Sequence, residues 1–244
     1  IIVHYLQDVQ SRIRVFALDG TPEGDIALPG VGTVSSLEGR ADGSDLWLGF
    51  SSPLAPATVY RCDPGDGRLE AFEPPVPPID LSLYETRALF ATSKDGTRVP
   101  FFLTARRDLA LDGSHPAMMY GYGGFSISVL PAYRPDVPAW LELGGMFVSV
   151  NLRGGAEFGE TWHEQGMLTR KQNVFDDFIA CAQWLVDQKV TRPKRLAIVG
   201  GSNGGLLMGA ALTQRPDLFG AVVSFVGIYD MLRVELTPNG AFNV

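Results

Sequence analysis

The chain is 244 residues long, 45% hydrophobic and 10% aromatic, enough to bury one large core or two small ones. Its net charge of −7 excludes the basic face that a nucleic-acid binder needs, and no apolar run approaches the ~18 residues of a membrane span. Cys62 and Cys181 lie far apart without metal-ligand spacing and read as free thiols. With no basic start and apolar stretch to mark a leader, a cytoplasmic protein is expected, with no call for a metal or other cofactor.

Residues 1–72 read as short strands broken by turns. Ile13 to Leu18 alternate before Asp19-Gly20, Leu46 to Phe50 follow Asp42-Gly43, and Thr58 to Arg61 lead into Asp63-Pro64-Gly65-Asp66-Gly67. Such spacing predicts an all-β segment, a propeller blade or part of a sandwich, although no second copy of the unit is visible. The run Glu73-Pro74-Pro75-Val76-Pro77-Pro78 cannot enter a sheet interior and marks a boundary, dividing the chain into 1–72 and 73–244.

Beyond the boundary the pattern changes. Tyr84 to Thr92 and Arg98 to Thr104, joined by Lys94-Asp95-Gly96, predict a hairpin. His115 to Tyr120, Met146 to Val150, Arg195 to Val199 and Ala221 to Val226 read as apolar strands, the last three buried. Val174, Phe175, Phe178, Ile179, Ala182 and Leu185 recur at helical spacing. Strands alternating with helices imply a mainly parallel sheet with flanking helices.

Gly200-Gly201-Ser202-Asn203-Gly204-Gly205 lies between the 195–199 strand and the helix-like run Leu206 to Leu212. Strand, tight Gly-x-Ser-x-Gly turn and helix is the nucleophile elbow of an α/β-hydrolase. The turn lifts one hydroxyl clear of the sheet at the positive end of a helix, where an oxyanion can meet backbone N–H groups. Ser202 is thus the candidate nucleophile, and the N–H of Asn203 the first oxyanion donor. Tyr120-Gly121-Tyr122-Gly123-Gly124-Phe125 follows an earlier strand and reads as a second oxyanion loop or as a plain glycine-rich turn. Arg153-Gly154-Gly155-Ala156-Glu157 reads as a turn rather than an anion cradle, Trp162 as a packed aromatic, and His163 as structural or exposed. The fold's order of Ser, acid, then His finds no base here, since His4, His115 and His163 all precede Ser202.

Three stretches together resemble the prolyl oligopeptidase family: 120–125, Asn151 through His163, and 200–205 with Gln214 to Phe219. Ser93-Lys94-Asp95-Gly96-Thr97 and Leu111 to Pro116 match it too. The resemblance implies a partial α/β-hydrolase domain, residues 73–244, preceded by the C-terminal part of a β-propeller, residues 1–72. It implies a serine peptidase acting on short peptides after proline through an acyl-enzyme, with Ser202 as nucleophile, the Tyr122 hydroxyl and Asn203 amide binding the oxyanion, and Phe125 and Ile228 lining the proline pocket. It places the triad Asp and His beyond Val244, so that the piece alone is expected to be inactive. One departure is that Asn243, with Phe242 beside it, stands where the family carries a proline-stacking Trp. The rival readings are an esterase or lipase of the same fold, against which the β segment argues, and a binding-only relative.

Overall fold

The structure is a computed structural model that describes residues 1–41, 43, 45–236 and 240, in two compact units. The first comprises residues 1–87 with 104–107 and 130–143; the second comprises 88–103, 108–129 and 144–244.

In the first unit, β1 (Ile2–Gln7), β2 (Gln10–Phe16) and β3 (Pro22–Ile26) form an antiparallel sheet. The β1–β2 turn places Asp8 and Val9 at φ 48° and 64°, the twist a two-residue hairpin needs. A β-branched residue is strained there, but Val9 is only 1% exposed and its burial offsets that cost. β4 (Thr33–Gly39), β5 (Leu46–Ser52), β6 (Ala55–Cys62) and β7 (Leu69–Phe72) form a four-stranded antiparallel meander. Leu46, Leu48 and Phe50 point one way from β5 and join Ile13, Ile26 and Cys62 in one core, so both sheets share a buried face. Helix α1 (Asp136–Glu142) belongs to this unit with its lead-in, whose Pro131 carbonyl accepts from Thr33 Oγ1 at 2.9 Å and whose Tyr133 N–H donates to Ser51 Oγ at 2.9 Å.

A third, six-stranded sheet begins with the hairpin of β8 (Tyr84–Thr92) and β9 (Arg98–Arg106), closed by Asp95 accepting from Thr97 N–H and by Gly96 at φ 88°. It continues through β10 (Ala117–Tyr120), β11 (Met146–Val150), β12 (Leu196–Gly201) and β13 (Ala221–Phe225) in the spatial order β13-β12-β10-β11-β9-β8. β10 runs parallel to both β11 and β12, with Tyr120 opposite Ser149 on one side and Val199 on the other. The chain therefore moves to one side of β10 and then returns to the other. The carboxyl ends flanking such a switch point form the crevice where open α/β sheets bind ligands. Helices α2 (Glu160–Glu164), α3 (Gln172–Asp187) and α4 (Asn203–Gln214) complete the unit. Val174, Phe178, Cys181 and Leu185 bury one stripe of α3, the periodicity legible in the sequence.

The expectation of a buried strand at 221–226 is corrected. β13 is exposed at four of its five positions because it is the sheet's edge among the described residues, paired to β12 alone. Both cysteines are free and buried, and no described helix is long and apolar enough to cross a membrane.

Candidate active site

Three loops leave the aligned ends of β10, β11 and β12, and each carries a stretch singled out in the sequence. The turn after β12 holds Ser202 at φ 58°, ψ −120°, a conformation L-residues rarely adopt and one that persists only when its surroundings enforce it. Ser202 N–H donates to Phe225 O at 2.9 Å and its carbonyl accepts from Leu206 N–H at 3.1 Å, fixing the turn from both sides. The side chain is exposed, and Oγ makes no hydrogen bond among the described residues. Gly200 is required: a Cβ there would meet Gly204 O at 2.5 Å. Asn203 opens α4, so its backbone N–H has no carbonyl one turn below and stays available to a ligand.

The loop after β10 lies against this turn. A Cβ on Gly204 would stand 2.7 Å from Gly121 O, so backbone meets backbone at van der Waals contact. The Asn203 side chain closes the contact by donating through Nδ2 to Tyr122 O at 2.5 Å. Tyr122 is half-buried, and Phe125 follows at the loop's exposed end, where it and Ser126 both adopt φ 55°. Lys171, at the start of α3, donates from Nζ to Gly123 O at 2.8 Å and to Asn203 Oδ1 at 3.0 Å. Burial pulls its ammonium down to about 8. Beside these groups is a cavity of about 450 Å³, lined by Phe125, Ile228, Leu206 and Met231 on its apolar side and by Asn203, His163 and Lys171 on its polar side.

The loop after β11 is a scaffold. Arg153 is 2% exposed and spends its guanidinium on Asp177 (Nε–Oδ2 2.9 Å, Nη2–Oδ1 2.5 Å), on Asp95 at 2.5 Å and on Ser93 Oγ at 3.3 Å. Two carboxylates already compensate its charge, which disfavours a role as an anion cradle. Trp162 is buried and donates from Nε1 to Leu152 O at 2.9 Å. His163 Nδ1 sits 2.8 Å from Gly154 O and 3.2 Å from Ser126 N, so the ring is held between the loop after β11 and the end of the Tyr122 loop.

Glu157 is buried in the same loop. Its Oε1 accepts from Val129 N–H at 2.8 Å, while its Oε2 and Asn151 Oδ1 have no partner among the described residues. Desolvation raises this carboxyl above its ordinary value. A raised acid favours the folded state at low pH and loses that contribution as pH rises through its folded value. Glu157→Gln removes the charge while keeping the acceptor. The variant is expected to match the parent near pH 4 and to be the more stable of the two at pH 8. Thermal melts at the two pH values check it; parallel pH dependence in both proteins would contradict it.

The structure thus brings Ser202, Asn203 and the Tyr122 backbone together and sets Phe125 and Ile228 on one cavity wall. Phe242 and Asn243 lie outside the described residues. The Asn203 side-chain clamp and Lys171 were missed by sequence reasoning. Their one legible sign is Lys171 itself, a cation where the dipole of α3 prefers an anion.

The family description "Prolyl oligopeptidase family" matches residues 131–244, and "Prolyl oligopeptidase, N-terminal beta-propeller domain" matches residues 1–75. The chain belongs to the prolyl oligopeptidase family. It is 40% identical to the uncharacterized peptidase y4nA of Sinorhizobium fredii, over 99% of this chain and 34% of that protein. It is 36% identical to the prolyl endopeptidase of Elizabethkingia miricola, over 97% of this chain and 34% of that protein. Among solved structures, one from a study of two prolyl endopeptidases superposes with TM-score 0.88 at 46% identity, over 98% of this chain and 35% of that one. Prolyl oligopeptidase B from Galerina marginata superposes with TM-score 0.91 at 34% identity, over 99% of this chain and 35% of that one. The chain spans about a third of the length of these relatives. Its fold is accordingly part of a prolyl oligopeptidase: propeller strands followed by an α/β-hydrolase sheet with its elbow.

Proposed function

We propose that this chain carries the acylating half of a serine oligopeptidase site, with residues 1–72 as propeller and 73–244 as the first part of the catalytic domain. The carrying observation is Ser202, held exposed at φ 58°, ψ −120° on the strand–helix turn with the Tyr122 loop packed against it. Ser202 Oγ attacks the peptide carbonyl, its proton passes to a base, and the carbonyl oxygen becomes an oxyanion held by the Asn203 N–H and the Tyr122 hydroxyl. Collapse expels the amine, which takes up that proton, and water then hydrolyses the acyl-enzyme. The base and its orienting acid would be a His and an Asp outside the third of the family's length that this chain spans. Phe125 and Ile228 form the apolar wall for the residue before the scissile bond, proline by the family's name. A peptide substrate fits the relatives: prolyl oligopeptidase B from Galerina marginata has been solved bound to a 25mer macrocyclization substrate. The two buried free thiols agree with a reducing, cytoplasmic setting.

Labelling with a fluorophosphonate tests the reading. A full-length protein containing this chain is expected to be labelled, and Ser202→Ala to lose labelling together with hydrolysis of a proline-containing peptide. Equal labelling of both forms would remove Ser202 from its role, and turnover of short esters without peptides would favour an esterase.

A further inference from the structure

Lys171 is an expensive residue where it stands. Its ammonium is desolvated, occupies the start of α3 where the helix dipole repels a cation, and is bonded to no carboxylate among the described residues. An Asp or Ser would serve the helix better. The two oxygens it bonds belong to different segments: Gly123 O to the Tyr122 loop, Asn203 Oδ1 to the elbow. Asn203 Nδ2 donates to Tyr122 O and closes a triangle between loop, elbow and α3. Gly123, at φ 65°, adds to the constraint, since a Cβ there would meet Val174 Cγ1 at 2.3 Å.

We propose that Lys171 is a positioning residue whose charged ammonium holds the two oxyanion donors, the Asn203 amide and the Tyr122 loop, at one separation. This rests on the peptidase reading above. Bonds from a charged donor are roughly twice as strong as neutral ones, so loss of the proton slackens the clamp without breaking it. Among the described residues, the other titratable groups facing Lys171 across the two cavities it lines are His163, from α2, and Tyr229, beyond β13, and no carboxylate lines either cavity. The ammonium titrates at about 8, against 10.5 ordinarily. Between those values the unfolded chain binds more protons, so rising pH stabilises the fold while loosening the clamp. Activity and stability therefore move in opposite directions above pH 8.

The test compares Lys171→Met and Lys171→Arg with the parent in a full-length protein. Lys171→Met is expected to lower kcat about 10- to 100-fold, the scale of a small misplacement of reacting groups, with KM within about twofold. It also removes the alkaline fall in rate near pH 8 and leaves the melting temperature at pH 7 unchanged or raised. Lys171→Arg, charged throughout, restores part of kcat and lacks that alkaline fall. Hydrogen exchange at 121–125 and 203–206 quickens in Lys171→Met while β9 is unaffected. The proposal is overturned if Lys171→Met keeps parental kcat, if the alkaline limb survives the substitution, or if kcat and melting temperature fall together. An unlabelled parent would sink the peptidase reading itself; a labelled parent with an unaltered Lys171→Met variant sinks only the clamp.

Discussion

Arg153→Ala is expected to destabilise the α/β unit by about 3–5 kcal/mol, the usual cost of removing one partner of a buried ion pair. The side chain joins three segments: the loop after β11, Asp177 on α3 and Asp95 in the β8–β9 turn. Asp177 is fully buried, and without the guanidinium its charge would have no compensation. Replacing both by leucine should recover much of the loss, since the desolvation penalty then disappears with the charges. The same contact gives an acid signature. The hydrogen bond from Arg153 holds the Asp95 carboxyl down at about 2, below its ordinary 3.8. A lowered acid contributes above its unfolded value and loses that contribution as pH falls towards its folded value, so the parent weakens between about pH 4 and 2 and the alanine variant, left with the Thr97 hydrogen bond, shows a smaller step. Asp95 is half-exposed, so the step is small beside the loss from Asp177. Guanidinium melts across this range measure both effects. A variant within 1 kcal/mol of the parent would show that the network is not what anchors the loop, since the expected loss is about three times larger.

Gly204→Ala is expected to lower kcat/KM of a full-length protein about 100-fold, the cost of a displacement near 1 Å in a catalytic constellation. Two effects compete. Alanine suits a helix better than glycine by about 1 kcal/mol, which would stabilise α4. Against this, the new methyl would stand 2.7 Å from Gly121 O, a backbone atom. The loop cannot simply yield, because the space around Gly121 is already filled by Phe178, Leu152 and Leu207. The clash wins: loop and elbow separate, and with them the two oxyanion donors. Steady-state kinetics on a short peptide, with fluorophosphonate labelling rates alongside, would register the change. A variant at parental rate would mean that close contact between Gly121 and the elbow is dispensable.

Much of this organisation was legible because it is local. β12, the glycine turn and α4 occupy contiguous residues, and the dihedrals a serine needs to stand clear of a sheet are enforced by its immediate neighbours. The hairpin over 84–106, the 146–150 strand and the stripe on α3 follow from side-chain periodicity for the same reason. Other features could not be read in that way. The seating of β10 between β11 and β12 joins strands far apart in the chain, and no periodicity marks which strands become neighbours.

By itself the chain of residues determined the elbow, the change from all-β to α/β pattern and the family likeness, since each depends on backbone preferences spanning a few positions. Only the tertiary structure decided that Arg153 is consumed by carboxylates 24 and 58 positions away, and that Lys171 bridges segments 48 and 32 positions away. A charged side chain carries no local mark of its partner. Its role appears when packing brings distant oxygens within about 3 Å and excludes the water that would otherwise solvate it.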